Sequence, residues 1–367
     1  MKQFEYADEK ISDKEIMIAI PSMIVAVGIL TLPRDLAENS LSADGWIAIL
    51  ISGILFCFLT WMVAKLAVQF PNETFFTYAS RLVPKPVAIV FTLLYVVLGI
   101  MFAAYEVREL SDLAGNYLFD QTPVEVIALA FLLVVVYGAS GSRAGIFRLN
   151  MMFFPIIGFI GVSIVFFSLG WFKVENLLPM FETSLTDHVE TLKVSTLSYS
   201  GFSILLFYIA LVRQPKKVPK MVVAGVSIAV LLYLILFITS VGVFGIATAH
   251  LIYPIVELGK VIEVPGGFFE RFESIFFVVW IMAIFNTTLM ALDIAVYGLQ
   301  SIFTRIKKVK LLLFLTPLIF VISMFPQNYM EIALLGRFIS YYELILTGFV
   351  TTLLLIIASR KGGKTGG

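Results

Sequence analysis

The first long apolar run reads Met23-Ile24-Val25-Ala26-Val27-Gly28-Ile29-Leu30-Thr31-Leu32 and stops at Pro33-Arg34, with a glycine at its middle. A helix interrupted there frees backbone groups, which a membrane tolerates only where they face protein or a wet cavity. The free N–H groups of Gly28, Ile29 and Leu30, at the positive end of a helix dipole, suit a carboxylate. The carbonyls of Ile24 to Val27 suit an ammonium group. A second run, Ser195-Thr196-Leu197-Ser198-Tyr199-Ser200-Gly201-Phe202-Ser203, carries hydroxyls and a glycine where a plain span would carry leucines. Small residues also serve close helix packing, but the match in position with Gly28 favours a second interruption over Ser198 to Phe202. Together the breaks predict a site that holds a zwitterionic amino acid by backbone at both ends. Phe102, Tyr105, Phe202, Met282 and Phe285 are the candidates to wall its side chain.

The elements that must position these groups follow from composition. Of 367 residues, 60% are hydrophobic and 14% charged, and the mean hydropathy is +0.98. A soluble domain has about a quarter of its residues charged, so this is an integral membrane protein. A spanning helix needs about 20 apolar residues. Counting such runs gives ten spans: 16–36, 46–70, 87–118, 124–138, 146–171, 192–212, 221–246, 268–302, 311–324 and 339–358. The fourth and ninth are short and borrow flanking residues. Alternate loops carry Arg81 and Lys85, Arg143 and Arg148, Arg213 to Lys220, Arg305 to Lys310, and Arg360 to Lys364, which places them and both termini in the cytoplasm. The intervening loops are acidic. The fourth and ninth spans are needed to keep each basic cluster on that side.

Ten spans divide into two sets of five, and an odd number per set inverts one half relative to the other. The expected organisation is a single transmembrane domain over 1–367, with repeats at 14–171 and 190–358 and a polar tail at 359–367. Spans one and six are then the matching pair that carries Gly28 and Gly201. The residues from Met1 to Glu15 mix acids and lysines, unlike a cleavable signal peptide.

Intramembrane charges are expensive and are usually paired. Glu106, Arg108 and Glu109 lie in span three, and Glu270, Arg271 and Glu273 open span eight. They read as an outer gate or proton route, or more simply as a packing network or docking surface. Asp293, with Arg305 a few turns on, reads as interfacial. Asn286 and Thr287 supply oxygen at the level of the first break and are weak sodium-site candidates, with ordinary polar packing the plainer reading. No other metal site and no cofactor is expected. Cys57 is alone, His188 and His250 are isolated loop residues, and the terminal Gly-Gly-Lys-Thr-Gly-Gly opens no helix. An enzyme is not expected, and the basic loops, explained by topology, call for no nucleic acid.

Gly28-Ile29-Leu30-Thr31-Leu32-Pro33-Arg34, Asp44-Gly45-Trp46-Ile47, Glu106-Val107-Arg108, and Phe269-Glu270-Arg271-Phe272-Glu273-Ser274 leading to Val278-Val279-Trp280 resemble the B subunit of GerA-type spore germinant receptors. The resemblance covers essentially the whole chain. It implies the amino acid-polyamine-organocation transporter superfamily and a LeuT-like 5+5 inverted repeat with broken helices one and six. It also implies an A subunit and a C-subunit lipoprotein as partners, the inner membrane of the endospore as location, and the sensing of a small nutrient such as an amino acid. Some proton-coupled relatives place a lysine on span five, whereas 146–171 contains none. A nutrient sensor is therefore the first expectation, and a proton- or sodium-coupled amino acid permease the alternative.

Overall fold

The structure, a computed structural model, describes residues 10–26, 28–41, 43–261 and 272–362, the side chains of 272–274 and of Gly362 excepted. The description is all-helical. Among the described residues, six helices are long and apolar enough to cross a membrane: α3 (Gly45–Ala67), α5 (Lys85–Tyr117), α7 (Arg143–Ser168), α10 (Val218–Phe244), α12 (Phe272–Ile302) and α14 (Tyr329–Gly362). Two more candidates are bent pairs. α1 (Asp13–Ile24) and α2 (Gly28–Asn39) meet at 51°, and α8 (Leu185–Leu197) meets the helical run Phe202–Leu211 at 45°. The α-helical centre of that run is α9 (Leu205–Tyr208), flanked by 3-10 turns. The shorter apolar helices α6 (Val124–Ser140) and α13 (Lys308–Ser323) have 17 and 16 residues. Two short helices, α4 (Phe75–Leu82) and α11 (Pro254–Val261), lie in connections.

The bends fall where the sequence predicts them, and each has a local cause. α1 starts on a capping box in which the Ser12 hydroxyl accepts from Glu15 N–H while the Glu15 carboxylate accepts from Ser12 N–H. It ends one turn after Pro21, which has no N–H to give the helix. In the second pair Gly201 takes φ +112°, a left-handed backbone that glycine alone adopts without strain. A Cβ there would lie 2.3 Å from Met23 Cγ, so the second break presses on the end of α1.

α5 and α12 form the centre and are the most deeply buried of the long helices. They approach closely: a Cβ on Gly99 would come within 2.7 Å of the Ala291 carbonyl, and one on Gly298 within 2.7 Å of Val96. Small residues of this kind let membrane helices pack backbone to backbone. α10 packs along α1 and α3, and α2 lies against α8. The two broken pairs thus sit side by side against the α5–α12 centre.

Candidate ligand site at the two helix breaks

One hydroxyl joins the breaks. Tyr233, on α10 and fully buried, places its Oη 2.8 Å from the Ile24 carbonyl and 2.8 Å from the Ser198 carbonyl, the C-terminal ends of α1 and α8. It donates its single proton to one or the other. The Ile24 carbonyl is one of those expected to suit an ammonium group, and the Ser198 carbonyl lies at the second interruption. Each carbonyl keeps a second lone pair. Two further donors come from α12: Trp280 Nε1–H donates to the Ala26 carbonyl at 3.1 Å, and Thr287 Oγ1–H lies 3.1 Å from the Ser22 carbonyl and 3.3 Å from Ala283 O.

Gly28 opens α2 directly over this junction. A Cβ on it would stand 3.3 Å from Tyr233 Oη and 3.4 Å from the Ser198 carbonyl. The first N–H groups of α2, from Gly28, Ile29 and Leu30, have no intrahelical acceptor because they begin the helix. Ile29 and Leu30 are buried. The second break is finished differently. The N–H groups of Gly201 and Ser203 donate to the two oxygens of Glu343, at 2.6 and 3.0 Å. Glu343 stands on α14 and is 1% exposed. One turn earlier on α14, Ser340 Oγ–H lies 3.1 Å from the Leu197 carbonyl and 3.0 Å from the Gly336 carbonyl of its own helix.

Between the breaks and α5 lies a cavity of about 10 Å³, bordered by Met23, Phe102, Gly201, Ser203, Tyr95 and Glu343. That is room for about one water. Phe202 is buried edge-on against the Phe56 ring. Tyr105 turns to α14, where its ring covers Gly336, and its hydroxyl donates to Glu109. Met282 and Phe285 lie elsewhere, in an apolar cleft of about 770 Å³ between α5, α6, α7 and α12. The exposed Val126, Val134 and Tyr137 open that cleft to the flank of the molecule. The rotation of α12, which periodicity leaves open, turns these two residues away from the breaks.

The α5 charges do not form an ion-pair network among the described residues. Glu109 accepts from Tyr105 and Tyr253 at 3.0 and 3.3 Å. The Glu106 Oε2 and Arg108 Nε atoms are buried without a hydrogen-bond partner among the described residues. Val27, Glu270 and Arg271 lie outside the described residues, as does the side chain of Glu273. Asn286 is fully buried with both amide atoms unpartnered, as is the Ser22 hydroxyl. Asp293 is fully buried, and Arg305 is exposed. Asp293 instead meets Arg143 Nε at 3.1 Å, Lys308 Nζ at 3.2 Å and the Tyr208 hydroxyl at 3.0 Å. Arg143 opens α7 and Lys308 opens α13, so two helix starts converge on α12, whereas Arg305 lies beyond its end.

Three residues of the site escaped the sequence reading. Tyr233 sits in an apolar run where an aromatic is ordinary, and Trp280 stands out only as part of the box that carries the family resemblance, which gives it no role. Glu343 was legible: it is a lone acid inside the span 339–358, and an acid at that depth implies a partner.

A family model described as "Spore germination protein" matches residues 10–332. Among curated proteins, the spore germination protein GerLB of Bacillus cereus is 37% identical over 370 residues, covering 99% of each chain. The spore germination protein YndE of Bacillus subtilis is 32% identical, over 97% of this chain and 98% of its own. Among solved structures, MhsT in complex with L-phenylalanine superposes with a TM-score of 0.68 at 15% identity, over 95% of this chain and 98% of that one. Mhp1, a nucleobase-cation-symport-1 family transporter in a closed conformation, gives 0.70 at 14% identity, over 95% and 78%. These two likenesses establish a transporter-like, LeuT-type fold.

Proposed function

Because the chain belongs to the spore germination protein family, a non-enzymatic family of membrane proteins, we propose that it is the B subunit of a nutrient germinant receptor. In this reading it binds an amino acid or similar small germinant at mid-membrane and passes the change to an A subunit and a C-subunit lipoprotein. It resides in the inner membrane of the endospore. The six long helices, the two bent pairs, α6 and α13 make the ten spans, arranged as inverted repeats 14–171 and 190–358 with both termini cytoplasmic.

The observation that carries the reading is the junction at Tyr233, where two interrupted helices meet through one hydroxyl. The ligand's carboxylate takes the N–H groups of Gly28 to Leu30, and its ammonium the remaining lone pairs of the Ile24 and Ser198 carbonyls. Gly201 and Phe202 shape the second break, and Phe102 walls the cavity. A ligand seated there changes the bend of both pairs at once, which is a conformational bias that partner subunits can read.

A second reading, a sodium- or proton-coupled permease, is favoured by one feature: Asn286 and Ser22 bring unpartnered oxygens to the α1–α12 contact that Thr287 closes. Proteoliposomes separate the two readings. Saturable binding of a radiolabelled amino acid without accumulation supports the sensor, and accumulation driven by a sodium or proton gradient supports the permease.

A further inference from the structure

The amide end of the second break is occupied by a group of the chain itself. Glu343 reaches from α14 to place one carboxylate oxygen on each of two N–H groups, Gly201 and Ser203. Such N–H groups at the start of a helical run are an anion site in any membrane protein that leaves them open. Further buried polar groups stand near the carboxylate. The fully buried Tyr95 hydroxyl borders the same cavity and faces the buried Thr347 hydroxyl.

We propose that the N–H pair of Gly201 and Ser203 is a carboxylate-binding site that the chain fills with its own Glu343. A carboxylate-bearing ligand that reaches this break competes with Glu343 for the same two donors. Its success frees α14 from the second break. Glu343 and Ser340 tie α14 to both sides of the break, so displacement loosens α14 from α8 and from the Phe202–Leu211 run together. The ligand class is a small carboxylate, and the Tyr95 and Thr347 hydroxyls are the donors that a second oxygen lone pair would meet.

Glu343→Ala provides the test, because the atoms it removes are those of an acetate ion. Purified full-length protein in nanodiscs is melted in sodium acetate and in sodium chloride of equal ionic strength. Glu343→Ala is expected to melt below the unsubstituted protein and to regain part of that loss in acetate but not in chloride. The unsubstituted protein and Glu343→Gln, whose space is filled, are expected to show no acetate-specific rise. A folded Glu343→Ala with no such rise, or an equal rise in all three, overturns the proposal. If the alanine variant is not recovered folded, Glu343→Ser leaves similar room; failure of acetate during solubilisation to improve the recovery of either variant also overturns it. The proposal deepens the reading of the breaks as a ligand site, but its test needs no nutrient. A protein that binds no amino acid would still give the acetate result.

Discussion

The two breaks are built from the same idea and finished in opposite ways. At the first, donors come to the carbonyls: Tyr233, Trp280 and Thr287 serve Ile24, Ala26 and Ser22, and the amides that open α2 are left for something else. At the second, an acceptor comes to the amides, as Glu343 takes Gly201 and Ser203. Among the described residues, no side chain is placed on the amides that open α2, whereas Glu343 occupies those of the second break. The physical reason is the neighbour. α10 and α12 bring neutral donors to α1, whereas α14 brings a carboxylate to the start of the Phe202–Leu211 run. In the proposed reading, a ligand with one carboxylate goes first to the α2 amides and reaches the second break only by competition with Glu343.

Substitutions at the two glycines test this asymmetry most severely. Gly201→Leu is expected to abolish the germination response, and even Gly201→Ala should destabilise the protein by about 2–5 kcal/mol. That sums a left-handed backbone, about 1–2 kcal/mol, and overpacking against Met23, about 1–3 kcal/mol. Gly28→Leu should abolish the response with the protein still in the membrane. Gly28→Ala, whose new atom meets its neighbours at 3.3 Å or more, should fold and respond at higher nutrient concentration. Equal behaviour of the two alanine variants in melting and spore germination assays would break the comparison.

Tyr233→Phe comes next, because it removes the hydroxyl that both breaks share. A lost buried hydrogen bond costs about 1–3 kcal/mol, and the dose–response curve for germination should move accordingly. A curve that does not move would mean the breaks do not communicate through α10.

The smallest expected effect lies outside the membrane and sets a control. Asp44, ahead of α3, is buried, which alone would raise its pKa. Hydrogen bonds from the N–H groups of Phe181, Glu182 and Thr183 and from the Thr183 hydroxyl outweigh burial and hold it below its usual 3.8. A depressed carboxylate pKa stabilises the fold above the ordinary value, and that contribution is lost as pH falls through the folded one. Asp44→Asn should therefore lower the melting temperature at neutral pH, and the difference should shrink below pH ~4. The nutrient preference should not change.

The interruptions were legible because Gly28 and the hydroxyl-flanked Gly201 fall at matching positions in spans one and six, a coincidence that close packing alone does not require. Helix orientation was not. Met282 and Phe285 carry the right chemistry to line a pocket, but the face of α12 they occupy is decided by α5, α6 and α7, which no local pattern encodes. Asp293 teaches the same lesson: its partners Arg143 and Lys308 are distant in sequence and come together only because two helices begin beside α12. Glu343 stood out as an intramembrane acid, but its partners are backbone groups, which are invisible until the second break is folded.

Binding of radiolabelled free amino acids to the purified protein in nanodiscs, compared between the unsubstituted chain and Gly28→Leu, tests the central claim most directly. The account predicts saturable binding of at least one amino acid, lost in Gly28→Leu while the fold persists. Undiminished binding to Gly28→Leu would contradict it.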